Sequence, residues 1–123
     1  MSEGEIAETM RGGRDVVSFP TAPNPAPTVS FDRHELRQIL DLYGRKVAEG
    51  EWRDYAMDFL RDRAVFSIFR RSSEMLLYRI EKDPRLARRQ GAYAVIAGTG
   101  LILKRGHDLH RVLRVLDRPK VVA

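Results

Sequence analysis

The sequence predicts an α+β domain: two N-terminal helices, a four-stranded antiparallel meander and a C-terminal helix packed on the sheet. Three observations carry the prediction. Apolar residues recur at helical spacing from Phe31 to Leu60 and again from Leu109 to Leu116. Between these blocks, short β-branched and aromatic runs are separated by connections of hairpin length. The 123 residues are 43% hydrophobic and 32% charged, the proportions of one globular domain.

Residues 1–28 read as a disordered Pro-rich tail ahead of a single domain over 29–123. Pro20, Pro23, Pro25 and Pro27 stand too close together for a helix or a paired strand. The small apolar island at Val16, Val17 and Phe19 is the one part of the tail with a reason to dock on something.

The first helix begins at Asp32, whose spacing to Glu35 is that of a capping box. Leu36, Ile39, Leu40, Tyr43 and Val47 fall on one helical face, and Gly50 provides the stop. Trp52, Tyr55, Ala56, Phe59 and Leu60 repeat the spacing and predict a second short helix. A strand with Tyr55, Met57 and Phe59 on one side is the competing reading. The runs AVFSIFRR and LLYRIEK, joined by RSSEM, form one hairpin; AYAVIA and LILKR, joined by GTG, form the other.

The second strand alternates cleanly, with Leu76, Tyr78 and Ile80 inward and Leu77, Arg79 and Glu81 outward. The first and third are apolar on both sides, so the sheet needs cover on both faces, from its own helices or from another chain. Leu109, Val112, Leu113 and Leu116 define the last helix, which Pro119 ends.

Charge is segregated along the chain. Residues 1–30 hold two basic and four acidic side chains, residues 31–83 hold eleven of each, and residues 84–123 hold nine basic against two acidic, so the net +5 arises as −2, 0 and +7. Arg85, Arg88, Arg89, Lys104, Arg105, Arg111, Arg114 and Arg118 are accordingly the candidate polyanion-binding residues.

Familiar chemistries find little purchase. The chain has no cysteine, which excludes disulfides, thiolate metal sites and cysteine nucleophiles and fits a reducing cytoplasm. His107 and His110, at metal-ligand spacing on a helix, have Arg111 and Arg114 as neighbours, and cations oppose a divalent metal. GTGLILK lacks the spacing of a phosphate-binding loop. No metal, no cofactor and no catalytic residue is therefore assigned. No apolar run reaches the ~18 residues a membrane helix needs.

The runs FDRHELRQILDLYGRKVAEGEWRDYAMDFLRDRAVFSIFRR, LYRIEKDPRLARRQGAYAV and GLILKRGHDLHRVLRVLDR together resemble a small alphaproteobacterial family catalogued only as a domain of unknown function. The resemblance spans roughly residues 29–118. It implies a bacterial cytoplasmic protein from a GC-rich genome, where 18 arginines against 4 lysines reflect codon usage as much as function. The functional expectation is a small non-enzymatic adaptor or regulatory protein acting through protein contacts or as a homodimer. The alternatives are nucleic-acid or ribonucleoprotein binding through the basic C-terminal surface, and an enzyme without a recognisable motif.

Overall fold

The computed structural model describes residues 27–70 and 75–117. Residues 1–26 of the predicted 1–28 tail, most of the RSSEM connection, Arg118 and Pro119 lie outside the described residues. The elements are α1 (Arg33–Ala48), β1 (Asp54–Phe59), β2 (Ala64–Phe69), β3 (Leu76–Lys82), β4 (Tyr93–Ala97), β5 (Ile102–Gly106) and α2 (Leu109–Leu113), with one 3-10 turn at Pro84–Leu86. The five strands form one antiparallel sheet in the order β1-β2-β3-β4-β5.

α1 starts where its caps dictate. The Asp32 carboxylate accepts the Glu35 N–H at 2.8 Å, and the Glu35 carboxylate accepts the Asp32 N–H at 2.8 Å. Each satisfies a backbone donor that the first helical turn leaves without a partner. The helix ends at Ala48, and Gly50 follows with φ 80°, a left-handed conformation suited to glycine.

The stripe that α1 buries differs from the predicted one. Glu35, Ile39, Leu42 and Lys46 face the core, while Leu40 and Val47 stay exposed. The apolar arc of this helix is wider than its contact with the sheet. One side packs on the sheet centre, and the neighbouring side, through Tyr43, reaches β1, where the Tyr43 and Tyr55 rings meet edge-on at 4.9 Å.

The predicted second helix is strand β1, and the sheet has five strands rather than four. β1 pairs with β2 from Asp54↔Phe69 to Phe59↔Ala64, and the turn between them closes with the Leu60 N–H donating to the Arg63 carbonyl at 2.8 Å. Helical spacing of Trp52, Tyr55 and Phe59 loses here because β2 supplies a ladder of partners, and aromatic residues suit a pleated surface. Trp52, just ahead of the strand, is buried and keeps its core role, near the rings of Tyr43 and Tyr78.

Both helices lie on one face of the sheet. Phe66, Ile68, Ile80 and Val95 project from the sheet into this core against Ile39, Leu42 and Val112. Each fully buried side chain of this kind contributes about 1.5–3 kcal/mol relative to exposure. On the opposite face no described helix lies, yet Val65, Ala94 and Ile96 are buried there. Their cross-strand neighbours are Glu81, Arg105 and Arg79, whose long aliphatic stems cover apolar surface while the charged ends reach outward. Glu81 takes the predicted outward side of β3 yet is buried there, with Arg79 Nε at 3.5 Å and Arg63 Nη1 at 4.0 Å.

The last helix is shorter than predicted. Asp108 caps it, accepting the His110 N–H at 3.0 Å, and after Leu113 the chain tightens into 3-10 turns, with the Leu116 N–H donating to the Leu113 carbonyl at 2.9 Å. His107 therefore precedes the cap, and the two histidines do not share a helical face.

Candidate functional site

The sheet edge at β1 combines free backbone with exposed apolar side chains. Antiparallel strands alternate between residues that bond their neighbour and residues that point their N–H and C=O the other way. The Leu60–Arg63 bond fixes the phase, so Asp54, Ala56 and Asp58 face β2 and Tyr55, Met57 and Phe59 face outward. The Tyr55 N–H confirms this phase by bonding the Asp54 carboxylate at 2.8 Å, away from β2. Among the described residues no strand pairs with this edge.

The same three residues direct their side chains toward the helical layer, yet they remain exposed: Tyr55 by 38%, Met57 by 36% and Phe59 by 43%. Tyr55 stacks on Phe66 with the rings 4.8 Å apart and nearly parallel. Above them, the exposed side of α1 presents Leu40 and Val47, one turn to either side of Tyr43. Leu60 adds a further exposed side chain where the strand ends, and its carbonyl accepts the Val29 N–H at 2.7 Å. The result is an apolar strip along an open strand. A row of unpaired amides and carbonyls beside such a strip is a template for an added strand.

The predicted polyanion-binding residues are distributed over several surfaces. Arg85 is engaged, with its Nε 3.2 Å from Asp83 Oδ1 and its Nη2 3.5 Å from Asp62 Oδ2. That hydrogen bond is the main cause holding the Asp83 carboxyl below its usual pKa. Arg88 and Arg89 are exposed on the loop between β3 and β4 and make no ion pair among the described residues. Arg105 is half-buried on the sheet face away from the helices, its Nη1 donating to the Gly91 carbonyl at 3.5 Å. Lys104 is exposed on β5.

Arg111 lies 3.9 Å from Asp108, and Arg114 lines a shallow groove between α1 and α2 with Gln38, Asp41, Arg45, His110 and Asp117. That groove is of mixed charge, crossed by an Arg45–Asp117 bond of 2.8 Å. Among the described residues Arg88 and Arg89 thus remain together without an ion pair, while Arg105 and the α2 arginines are separated from each other by the sheet.

A partly buried polar cluster joins the layers. Glu35 accepts from Lys82 Nζ at 2.8 Å and from the Tyr93 hydroxyl, and Lys82 also donates to the Ser30 carbonyl at 3.0 Å. Burial first, and the Glu35 carboxylate second, push the Tyr93 phenol well above its ordinary pKa. Every member has a partner, so its chemistry is that of a structural clamp.

These features define a small α+β domain with helices on one face of an antiparallel meander and an apolar-lined first strand that no described strand pairs on its outer side. The chain belongs to the family described as Protein of unknown function (DUF2794), whose model matches residues 29–113, from the segment before α1 to the end of α2. No curated protein and no solved structure matches it. Among the described residues no helix is long and apolar enough to cross a membrane.

Proposed function

We propose that this protein is a small non-enzymatic interaction module that works by adding an extended polypeptide segment to strand β1. The observation that carries this reading is the coincidence of outward-pointing backbone at Tyr55, Met57 and Phe59 with exposed apolar side chains from the same residues. Backbone bonds give such an addition its affinity, and alternate side chains give it selectivity. Leu40 and Val47 on α1 extend the apolar strip above the strand, and an incoming side chain on the helical side would meet them.

The test uses a displayed library of extended peptides against the full chain and against Met57→Lys. A lysine on an edge strand disfavours added strands, and Met57 is exposed enough for the variant to fold. Enrichment of peptides with alternating apolar residues, with binding at least about 10-fold weaker to the variant, supports the reading, a difference of about 1.4 kcal/mol. No enrichment, or equal capture by both proteins, would overturn it.

A second reading, binding of nucleic acid or another polyanion, rests on Arg88 and Arg89. They are adjacent, exposed and without an ion pair among the described residues. Guanidinium groups hold phosphate bidentately, which gives a grip insensitive to base sequence and sensitive to salt.

A further inference from the structure

We infer that the segment added to β1 is the β1 strand of a second copy of this chain, in one specific register. The inference rests on the edge reading above and names its partner. Pairing must set outward-facing residues opposite one another, so Tyr55, Met57 and Phe59 of one copy meet the same three of the other. Two antiparallel registers overlap the strands most fully, one with its two-fold axis at Ala56 and one at Met57.

Charge separates the two registers. The axis at Ala56 sets Asp54 opposite the partner's Asp58, and symmetry repeats that clash. Like charges directly opposite are destabilising. The axis at Met57 sets Ala56 opposite the partner's Asp58 instead. On the helical side it then places Tyr55 opposite the partner's Phe59, and Met57 opposite the partner's Met57. Aromatic pairs of this kind favour cross-strand association. The Asp54 carboxylate, which holds the Tyr55 N–H in the single chain, releases it to the new ladder.

The symmetry also accounts for α1. An axis normal to the sheet keeps both helical layers on one side of a continuous ten-stranded sheet, two copies of the five strands. The α1 sides carrying Leu40 and Val47 then face one another across the seam, where the single chain leaves them in water. One self-complementary surface thus satisfies the backbone edge, the aromatic row and the exposed helix side together.

Cysteine cross-linking tests the register directly, because the chain has no cysteine of its own. Directly opposed, hydrogen-bonded residues have Cα atoms about 5.5 Å apart, within disulfide range, whereas diagonal neighbours lie beyond about 7 Å. Under mild oxidation Met57→Cys is expected to form a covalent dimer at least about 10-fold faster than Ala56→Cys, and the wild type to sediment as a dimer at micromolar concentration. Faster cross-linking of Ala56→Cys would overturn the register. A wild type that sediments as a monomer, with neither variant cross-linking, would overturn the second copy as partner. In that case peptide capture that Met57→Lys abolishes would leave the edge reading standing, and its absence would remove both.

Discussion

Glu35 and Lys82 stand 47 positions apart in the chain and 2.8 Å apart in space. The contact ties the first turn of α1 to the end of β3, and Tyr93 on β4 adds its hydroxyl to the same carboxylate. A residue that caps a helix therefore also fixes that helix over the sheet, which sets where the apolar side of α1 lies relative to β1.

The clamp predicts a large stability loss on truncation. Glu35→Ala removes a cap, leaves the Lys82 ammonium without its carboxylate and strands the Tyr93 hydroxyl. Leaving partly buried polar groups without their partner costs about 1–3 kcal/mol, and the lost cap adds to it. Lys82→Met in the Glu35→Ala background is expected to recover part of that loss, because no unpaired charge remains. Urea unfolding of the single and double variants measures both. A loss below about 1 kcal/mol for Glu35→Ala, the scale of an exposed pair, would contradict the clamp.

Alkaline pH tests the same cluster from the other side. The Tyr93 pKa is raised in the folded protein above its ordinary value of 10.0, so the native state holds this proton more tightly than the unfolded chain. The stability it contributes is complete below pH 10 and is lost as pH rises above it. Tyr93→Phe is expected to flatten the fall in melting temperature above that pH. An unchanged alkaline slope would show that other groups carry it.

Two glycine substitutions are expected to move stability in opposite directions. Gly91 has φ 107°, and a Cβ there would sit 2.2 Å from the Gly106 carbonyl carbon and oxygen. Gly91→Ala should lower stability by more than the ~1 kcal/mol of a simple backbone penalty, since two strands must part. Gly44 lies within α1 with nothing within 4 Å of its Cβ position. Gly44→Ala should raise stability by about 0.5–1 kcal/mol. Thermal unfolding of the two variants checks both signs.

The basic loop makes a separate forecast. If Arg88 and Arg89 grip phosphate, replacing both with Ala reduces the slope of log affinity against log salt by roughly one to two units, without preference among sequences. Stability should change by no more than about 1 kcal/mol, since both arginines are exposed. A wild type with no salt-dependent affinity for nucleic acid at low ionic strength removes the polyanion reading.

How legible this was in the sequence depends on how local each cause is. The start of α1 could be read because Asp32 and Glu35 cap each other across a single turn. The β2–β3 and β4–β5 hairpins could be read from short β-branched and aromatic runs separated by turn-length connections. β1 resisted because WRDYAMDFL satisfies helical spacing and strand alternation at once, and the decision falls to β2, a partner outside the segment.

The edge site shared that ambiguity: Tyr55, Met57 and Phe59 form a row only if the segment is a strand. The burial of Glu81 and the dual role of Glu35 carried no local signal, since each depends on arginine, lysine or tyrosine residues brought in by sheet pairing. The basic residues were visible in composition, but strand parity and the short α2 assign them to different surfaces.

Amide hydrogen exchange resolved by residue tests the β1 edge most directly. The Ala56 and Asp58 amides bond β2 and should be protected at every protein concentration. The Met57 and Phe59 amides point outward and should exchange quickly in dilute protein, then gain protection as concentration rises into the micromolar range and the edge pairs. Fast exchange at Met57 and Phe59 at all concentrations, and equally with every captured peptide, would contradict the account.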